Sequence, residues 1–453
     1  MYTRIYKKAF AALVCILSLV CAFPASAKAA QRLQDTGDKL VIVIDPGHGG
    51  SNRGTISGEQ EEKGMTLTTA QAMYDELCLY EGVEVYMTRT GDKELSLKQR
   101  AEFAAEKEAD IMFSIHYNAS EYHTHFGSEV WVSAFVPFNA YGYQFGQEVL
   151  KEFRETGLFI RGIKTRIGDD NLDYYGIIRE AYLLNIPSLI IEHCYVDEER
   201  DIDYCATEED MKAFGKADAT AVAKYFGLKS SALQVDYSDY ELAEADISKI
   251  QPLTRIDDTA PDICQLEWTE ADYEKGLLTL TVNAVDYDSA LIYYEYSLDG
   301  GKTFSRREIW PQSDTLTGTS PDTVTLNLKV PMNTKPSVVV RVHNMYDLYT
   351  ESNLCVSPEA FTADVEQAVS AVPEVTEASP EPTEEPKTEE ITFTKEPVSA
   401  LEQETTPAGS DSVEEPEVSF MVFLEICLVI VAVLFILLFV SQLIARKKKR
   451  RKR

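Results

Sequence analysis

Basic residues are scarce: Lys and Arg number 43 against 74 Asp and Glu, for a formal net charge of −31. Phosphate contacts need clustered cations, so this balance excludes a general nucleic-acid binder. Many of the cations sit at the ends, since Arg4, Lys7 and Lys8 open the chain and the last eight residues are all Lys or Arg. Cysteine is sparse too. Outside the two terminal apolar segments only Cys78, Cys194, Cys205, Cys264 and Cys355 remain, an odd set that excludes a framework of paired disulfides, although Cys264 and Cys355 flank a strand-rich region and could close it. Val20 precedes Cys21 where a lipid-attachment signal has a small residue, and no Leu-Pro-x-Thr-Gly motif precedes the C-terminal apolar run, so neither lipidation nor wall sorting is expected. Wholesale disorder is excluded by 45% hydrophobic and 10% aromatic residues, and 453 residues are too many for one small domain.

The ends predict export and anchoring. Arg4, Lys7 and Lys8 precede the apolar run 9–23 and the small-residue pattern Ala25-Ser26-Ala27, so residues 1–27 read as a signal peptide. Residues 420–445 are almost wholly apolar and long enough to cross a bilayer as one helix. The basic residues 446–453 would hold the C-terminus in the cytoplasm, giving a single-pass plasma-membrane protein with everything before the helix outside. Residues 359–418, rich in Glu, Pro and Thr, predict a disordered acidic stalk.

Two folded regions are expected between the ends. In 40–228, short apolar runs at 41–44, 85–87, 111–115, 130–132 and 189–191 alternate with helical spacing such as Leu67, Ala70, Tyr74 and Leu77. Ser96 with Gln99 forms a capping box, and Gly227 closes a later helix. The fold class is α/β, a sheet covered by helices on both faces. In 258–358, Leu278, Leu280 and Val282, and again Val324, Leu326, Leu328 and Val330, alternate with polar residues. A hairpin turning at Asp299-Gly300-Gly301, with pairing resumed at Phe304, completes a small β-sandwich that reads as a spacer or binding module.

The chemistry-bearing residues lie in the first region. Five of the six histidines fall between His48 and His193. His48, in Asp45-Pro46-Gly47-His48-Gly49-Gly50, and His116, after Phe113-Ser114-Ile115, both follow predicted strands, so parallel neighbours would bring their imidazoles to one sheet edge. A carboxylate can complete an open tetrahedral zinc site, and Glu59, Glu61 and Glu62 are all candidates. Cys194 reads as a buried structural thiol, His193 as a packing residue opposite Glu192, and His123 with His125 as loop residues, although a His-x-His pair could also bind metal on its own.

These segments resemble the zinc-dependent N-acetylmuramoyl-L-alanine amidases. Val43-Ile44-Asp45-Pro46-Gly47-His48-Gly49-Gly50 is similar to that family's first metal motif, and Glu62-Lys63 to the pair carrying its second ligand. Thr88-Arg89, then Leu97-Lys98-Gln99-Arg100, then Ser114-Ile115-His116-Tyr117-Asn118-Ala119 resemble its longest signature, and 187–195 the strand ending in its catalytic glutamate, here Glu192. The resemblance implies zinc held by His48, Glu62 and His116, Glu192 as general base, and peptidoglycan as substrate, cut between N-acetylmuramic acid and L-alanine. Arg179 would contact the substrate carboxylate or the oxyanion, or form a structural ion pair, while Asn118 and Arg100 would steady the site. Residues 134–173 depart from the family pattern and are expected to hold an insertion shaping the groove. Two rivals remain, an inactive wall-binding scaffold and a zinc peptidase cutting within the stem peptide.

Overall fold

The computed structural model describes residues 39–242 and 257–362. The expected signal peptide, membrane span and basic tail, with nearly all of the expected stalk, lie outside the described residues. Among those described, no helix is long and apolar enough to cross a membrane.

The first region runs β1 (Leu40–Pro46), a hairpin of β2 (Ile56–Ser57) and β3 (Gln60–Glu61), α1 (Glu62–Leu77), β4 (Val83–Met87), α2 (Leu97–Glu106), β5 (Ile111–Asn118), β6 (Ser128–Val132), α3 (Phe138–Glu155), β7 (Ile160–Lys164), α4 (Gly176–Leu183), β8 (Ser188–Tyr195), α5 (Glu208–Phe226) and a last hairpin of β9 (Lys229–Ser230) and β10 (Val235–Asp236). Six strands form one sheet in the order β4-β1-β5-β8-β6-β7. Its neighbours are parallel except β6, which runs antiparallel to β8. That reversal brings the start of β6 to the same edge as the ends of β1, β5 and β8.

Alternation along the strands sorts side chains into two layers. Ile42, Ile44, Phe113, Ile115, Leu189 and Ile191 pack with α1, α3 and α5, while Val43, Met112 and Ile190 pack with Ala101, Ala104, Ile177 and Ala181 of α2 and α4. Each large apolar side chain so buried contributes about 1.5–3 kcal/mol. The expected caps are present: Ser96 and Gln99 bond reciprocally at the start of α2, and Gly227 ends α5 with a left-handed φ of 63°. Residues 134–173 contribute α3 to the helical layer and β7 to the sheet edge, so much of this stretch is framework rather than groove wall.

The second region is a sandwich. One sheet is β11 (Ile263–Asp272), β12 (Leu277–Val285) and β15 (Thr323–Lys329); the other is β13 (Leu291–Ser297), β14 (Glu308–Ile309), β16 (Ser337–Asn344) and β17 (Tyr349–Glu351), with β18 (Cys355–Val356) also on β16. The alternating Leu and Val residues bury between them around Trp310. Three expectations change. Strand pairing after the 299–301 turn resumes at Glu308, not Phe304, because the Asp299 carboxylate takes the Lys302 and Thr303 N–H groups and holds the chain in a longer loop. The sandwich runs past 358, since Phe361 is fully buried in its core. Cys264 and Cys355 are free thiols that donate to the carbonyls of Val340 and Leu266, at 3.7 and 3.3 Å.

Candidate metal centre

The edge where β1 and β5 end carries the site. After Pro46 the chain turns through His48, whose φ of 60° is unusual for a residue with a side chain, and on through Gly49 and Gly50. Position 47 must be glycine, because a Cβ there would come within 2.3 Å of the His116 ring. A buried scaffold holds the turn. Asp45 accepts from Thr88 Oγ1 at 2.5 Å, Arg100 Nη1 at 2.8 Å and Ser114 Oγ at 2.9 Å. Arg100 also donates to the His48 carbonyl at 2.7 Å, and Arg89 to the Gly47 carbonyl at 2.6 Å. Burial, helped by the nearby Arg100, lowers Arg89 to about 10.

Glu62 opens α1 without a side-chain cap beneath it, and its carboxylate turns inward. Oε1 accepts from the Tyr117 N–H at 3.0 Å and lies 3.2 Å from His116 Nδ1; Oε2 accepts from the Thr55 N–H at 2.8 Å and lies 3.1 Å from His48 Nε2. Among the described residues, His48, Glu62 and His116 are the group whose donor atoms converge, all within 4.8 Å of one another. His48 Nδ1 is fixed by Asn52 Oδ1 at 2.8 Å, which aims Nε2 at the centre. That Nε2 is buried and, despite its nearness to Glu62, makes no hydrogen bond. A donor set of two imidazoles and one carboxylate, with an inward nitrogen unspent, fits a divalent metal ion. The other two glutamates are excluded by placement: Glu59 is exposed, and Glu61 pairs with Arg53 at 2.6 Å and Lys63 at 3.4 Å.

The electrostatics follow the same geometry. Burial works against the Glu62 charge, but the two imidazoles outweigh it and hold the carboxyl well below its usual range. Burial lowers His116, whereas Glu62 overcomes burial at His48 and raises it.

Glu192 stands beside this group. It pairs in register with His116 across β5 and β8, is 1% exposed, and its Oε2 has no hydrogen-bond partner among the described residues. Burial pushes its pKa well up, and the Glu62 and Glu129 charges add to the effect. A carboxyl so placed can hold and release a proton. His193 faces the other way, stacked on Tyr117, with Nδ1 2.9 Å from the His116 carbonyl and Nε2 2.9 Å from Asp218 Oδ2. It packs as expected and also ties the His116 strand to α5.

Arg179, in α4, donates to the carbonyls of Asp173 at 3.0 Å and Tyr174 at 3.4 Å, bracing the loop that leads into its helix. His123 and His125 do not converge, lying instead against Asp197 at 2.7 Å and Asp347 at 3.1 Å. Asn118 donates to Glu129 at 3.0 Å. Glu129 itself escaped the sequence reading, although a glutamate inside an apolar strand, two residues before Trp131, was the available signal.

Comparison with known proteins gives one consistent result. Residues 42–224 match the family model described as N-acetylmuramoyl-L-alanine amidase. The chain is 32% identical over 194 residues to the N-acetylmuramoyl-L-alanine amidase CwlM of Bacillus licheniformis, covering 42% of this chain and 70% of that protein. It is 30% identical over 194 residues to the sporulation-specific N-acetylmuramoyl-L-alanine amidase of Bacillus subtilis, again 42% of this chain and 70% of the relative. Among solved structures, the catalytic domain of the amidase CwlV from Bacillus (Paenibacillus) polymyxa var. colistinus matches at 29% identity and a TM-score of 0.37, covering 42% of this chain and 99% of that one.

Proposed function

This chain belongs to the N-acetylmuramoyl-L-alanine amidase family, and on that premise we propose that it hydrolyses the amide between N-acetylmuramic acid and the L-alanine of the peptidoglycan stem peptide, using zinc and Glu192. The observation that carries this reading is the convergence of His48, Glu62 and His116 on one point, with the buried Glu192 alongside, its Oε2 without a hydrogen-bond partner among the described residues.

His48, Glu62 and His116 would hold the zinc. When bound, zinc supplies Lewis acidity, polarising a carbonyl oxygen and bringing the pKa of water toward about 7. The chain's own residues do the rest. Asn52 and the Tyr117 N–H keep His48 and Glu62 in their ligating orientations. Glu192 takes the proton from the attacking water and returns one to the departing L-alanine nitrogen, transfers that contribute on the order of 10²–10⁴ in rate. Its low-dielectric pocket suits the second transfer, because burial and two neighbouring carboxylates favour its protonated form. Arg179 would contact the substrate carboxylate or the oxyanion by exchanging the Asp173 and Tyr174 carbonyls for it.

The proposal extends to place: export, then retention by a C-terminal helix, would set the catalytic region among the glycan strands outside the plasma membrane. The test is digestion of purified peptidoglycan by the full chain with and without chelator, with product masses. Release of intact stem peptides carrying a free L-alanine amine, lost with chelator and regained with zinc, is expected. Cuts inside the stem peptide would instead establish a peptidase, and binding without cleavage a scaffold.

A further inference from the structure

The sandwich is not hung beside the catalytic region but plugged into it. The β16–β17 turn, stabilised by Asn344 Oδ1 accepting from the Tyr346 and Leu348 N–H groups at 3.0 and 3.1 Å, carries Met345, Tyr346 and Asp347 into the sheet edge at β7. Gly162 leaves room for Met345, whose Cε would lie 2.2 Å from any Cβ at that position. The Tyr346 hydroxyl accepts from the Thr165 N–H at 3.2 Å. Met345 and Tyr293 of the sandwich share one buried cluster with Phe126, and Phe159 packs against it.

At the centre of this contact is Arg161, only 1% exposed. Its Nη2 donates to Asp347 at 2.5 Å, its Nη1 to the Tyr293 hydroxyl at 3.0 Å and its Nε to Glu129 Oε2 at 2.6 Å. Two of its three partners come from the sandwich. Asp347 is itself held in place, with Arg307 Nη1 2.9 Å and His125 Nε2 3.1 Å from its other oxygen. Beyond Arg161, Lys164 donates to the same Glu129 oxygen at 2.6 Å, while Asn118 and Trp131 Nε1 donate to Oε1 at 3.0 and 3.1 Å. Glu129 lies directly opposite Glu192 across β6 and β8, and Glu192 pairs onward with His116. A continuous row therefore runs Asp347, Arg161, Glu129, Glu192.

We propose that Asp347 of the sandwich is a positioning residue for the catalytic centre: by fixing Arg161 it fixes the Glu129 carboxylate, the residue directly opposite Glu192 across β6 and β8. This rests on the amidase reading of Glu192. A buried arginine that loses one of its two carboxylates is drawn toward the other, and a carboxylate gripped by four donors moves when one of them moves. Glu192 has no partner at Oε2 to resist such a shift. The module is then part of the catalytic unit, and its removal would cost turnover rather than wall affinity.

The test compares Asp347→Asn with Thr315→Val in the full chain. Thr315 spans the same contact, donating to the Ile160 carbonyl at 2.8 Å, but lies outside the row. For Asp347→Asn, kcat should fall about ten- to a hundredfold, as when an outer partner of a site is lost, with KM within about twofold and metal content unchanged. Thr315→Val should lower the melting temperature yet keep kcat. Should Asp347→Asn fail to fold, Tyr293→Phe removes one acceptor of Arg161 and should lower kcat about threefold, in the same pattern. Unchanged kcat in the Arg161-directed variant that folds, or an equal loss in Thr315→Val, would overturn the proposal. An activity-independent reading separates it from the amidase assignment: the Trp131 indole N–H resonance, whose acceptor is Glu129, should shift in Asp347→Asn and not in Thr315→Val. If the wild-type chain cleaves nothing, the amidase reading fails, and a still indole signal in Asp347→Asn overturns the positioning claim by itself.

Discussion

Two buried charge clusters share one sheet edge, and they are built on opposite plans. Around Glu129 the valences are closed: Arg161, Lys164, Asn118 and Trp131 together satisfy one carboxylate. Beside Glu62 one is left open: the imidazoles of His48 and His116 close on the Glu62 carboxylate, but Glu192 Oε2 is buried with no hydrogen-bond partner among the described residues. Burying a polar group without a partner is costly, so its persistence marks a place where something else is meant to bind or react. A closed cluster spends its charge on structure, an open one holds it in reserve.

Substitutions should separate the two plans. Glu192→Gln should lower hydrolysis by about 10²–10⁴ or more while metal content and melting temperature stay near wild type, read by product release and metal analysis. Glu129→Ala should do the reverse first, stranding two buried cations and destabilising the fold by about 3–5 kcal/mol in denaturant titration. If Glu129→Ala proved as stable as Glu192→Gln, the distinction would collapse.

Acid should reveal the closed cluster as well. Burial opposes the Glu129 charge, but Lys164 and Arg161 prevail and lower it to about 2. Because the folded pKa lies below the unfolded one, this stabilisation is full above the unfolded pKa of about 4.3 and disappears as pH falls through about 2, on the order of 3 kcal/mol in all. The stability gap between wild type and Glu129→Gln should therefore narrow across that window. The smallest effect is expected at Thr315: Thr315→Val removes one hydrogen bond, to the Ile160 carbonyl, and should lower stability by about 1 kcal/mol in denaturant titration with hydrolysis kept.

How much of this was legible beforehand tracks the same contrast. His48 and His116 announce themselves by following apolar runs, because strand ends in parallel sheets present side chains at a common edge. The caps at Ser96 and Gly227 and the alternation of the sandwich strands are equally local. Glu62 could not be told from Glu59 and Glu61 by spacing; the resemblance selected it, and the fold shows why, since Glu62 alone opens the helix that faces the histidines. Glu129 stands out as a glutamate within an apolar strand, but nothing in the sequence names its partners. They come from β5, β6, β7 and a turn in another module, and an ion pair between residues separated by 186 positions leaves no periodic trace. Arg179 was readable as a substrate contact or a structural residue, and the carbonyls of Asp173 and Tyr174 that it meets in the fold are acceptors no sequence pattern displays.

Hydrolysis is expected to require a metal ion held by His48, Glu62 and His116. Metal analysis of the purified full chain, in parallel with stem-peptide release, tests it most directly. One zinc per chain, lost in His116→Ala and kept in an inactive Glu192→Gln, is the expected result. Full hydrolysis by a chain stripped of metal would contradict it.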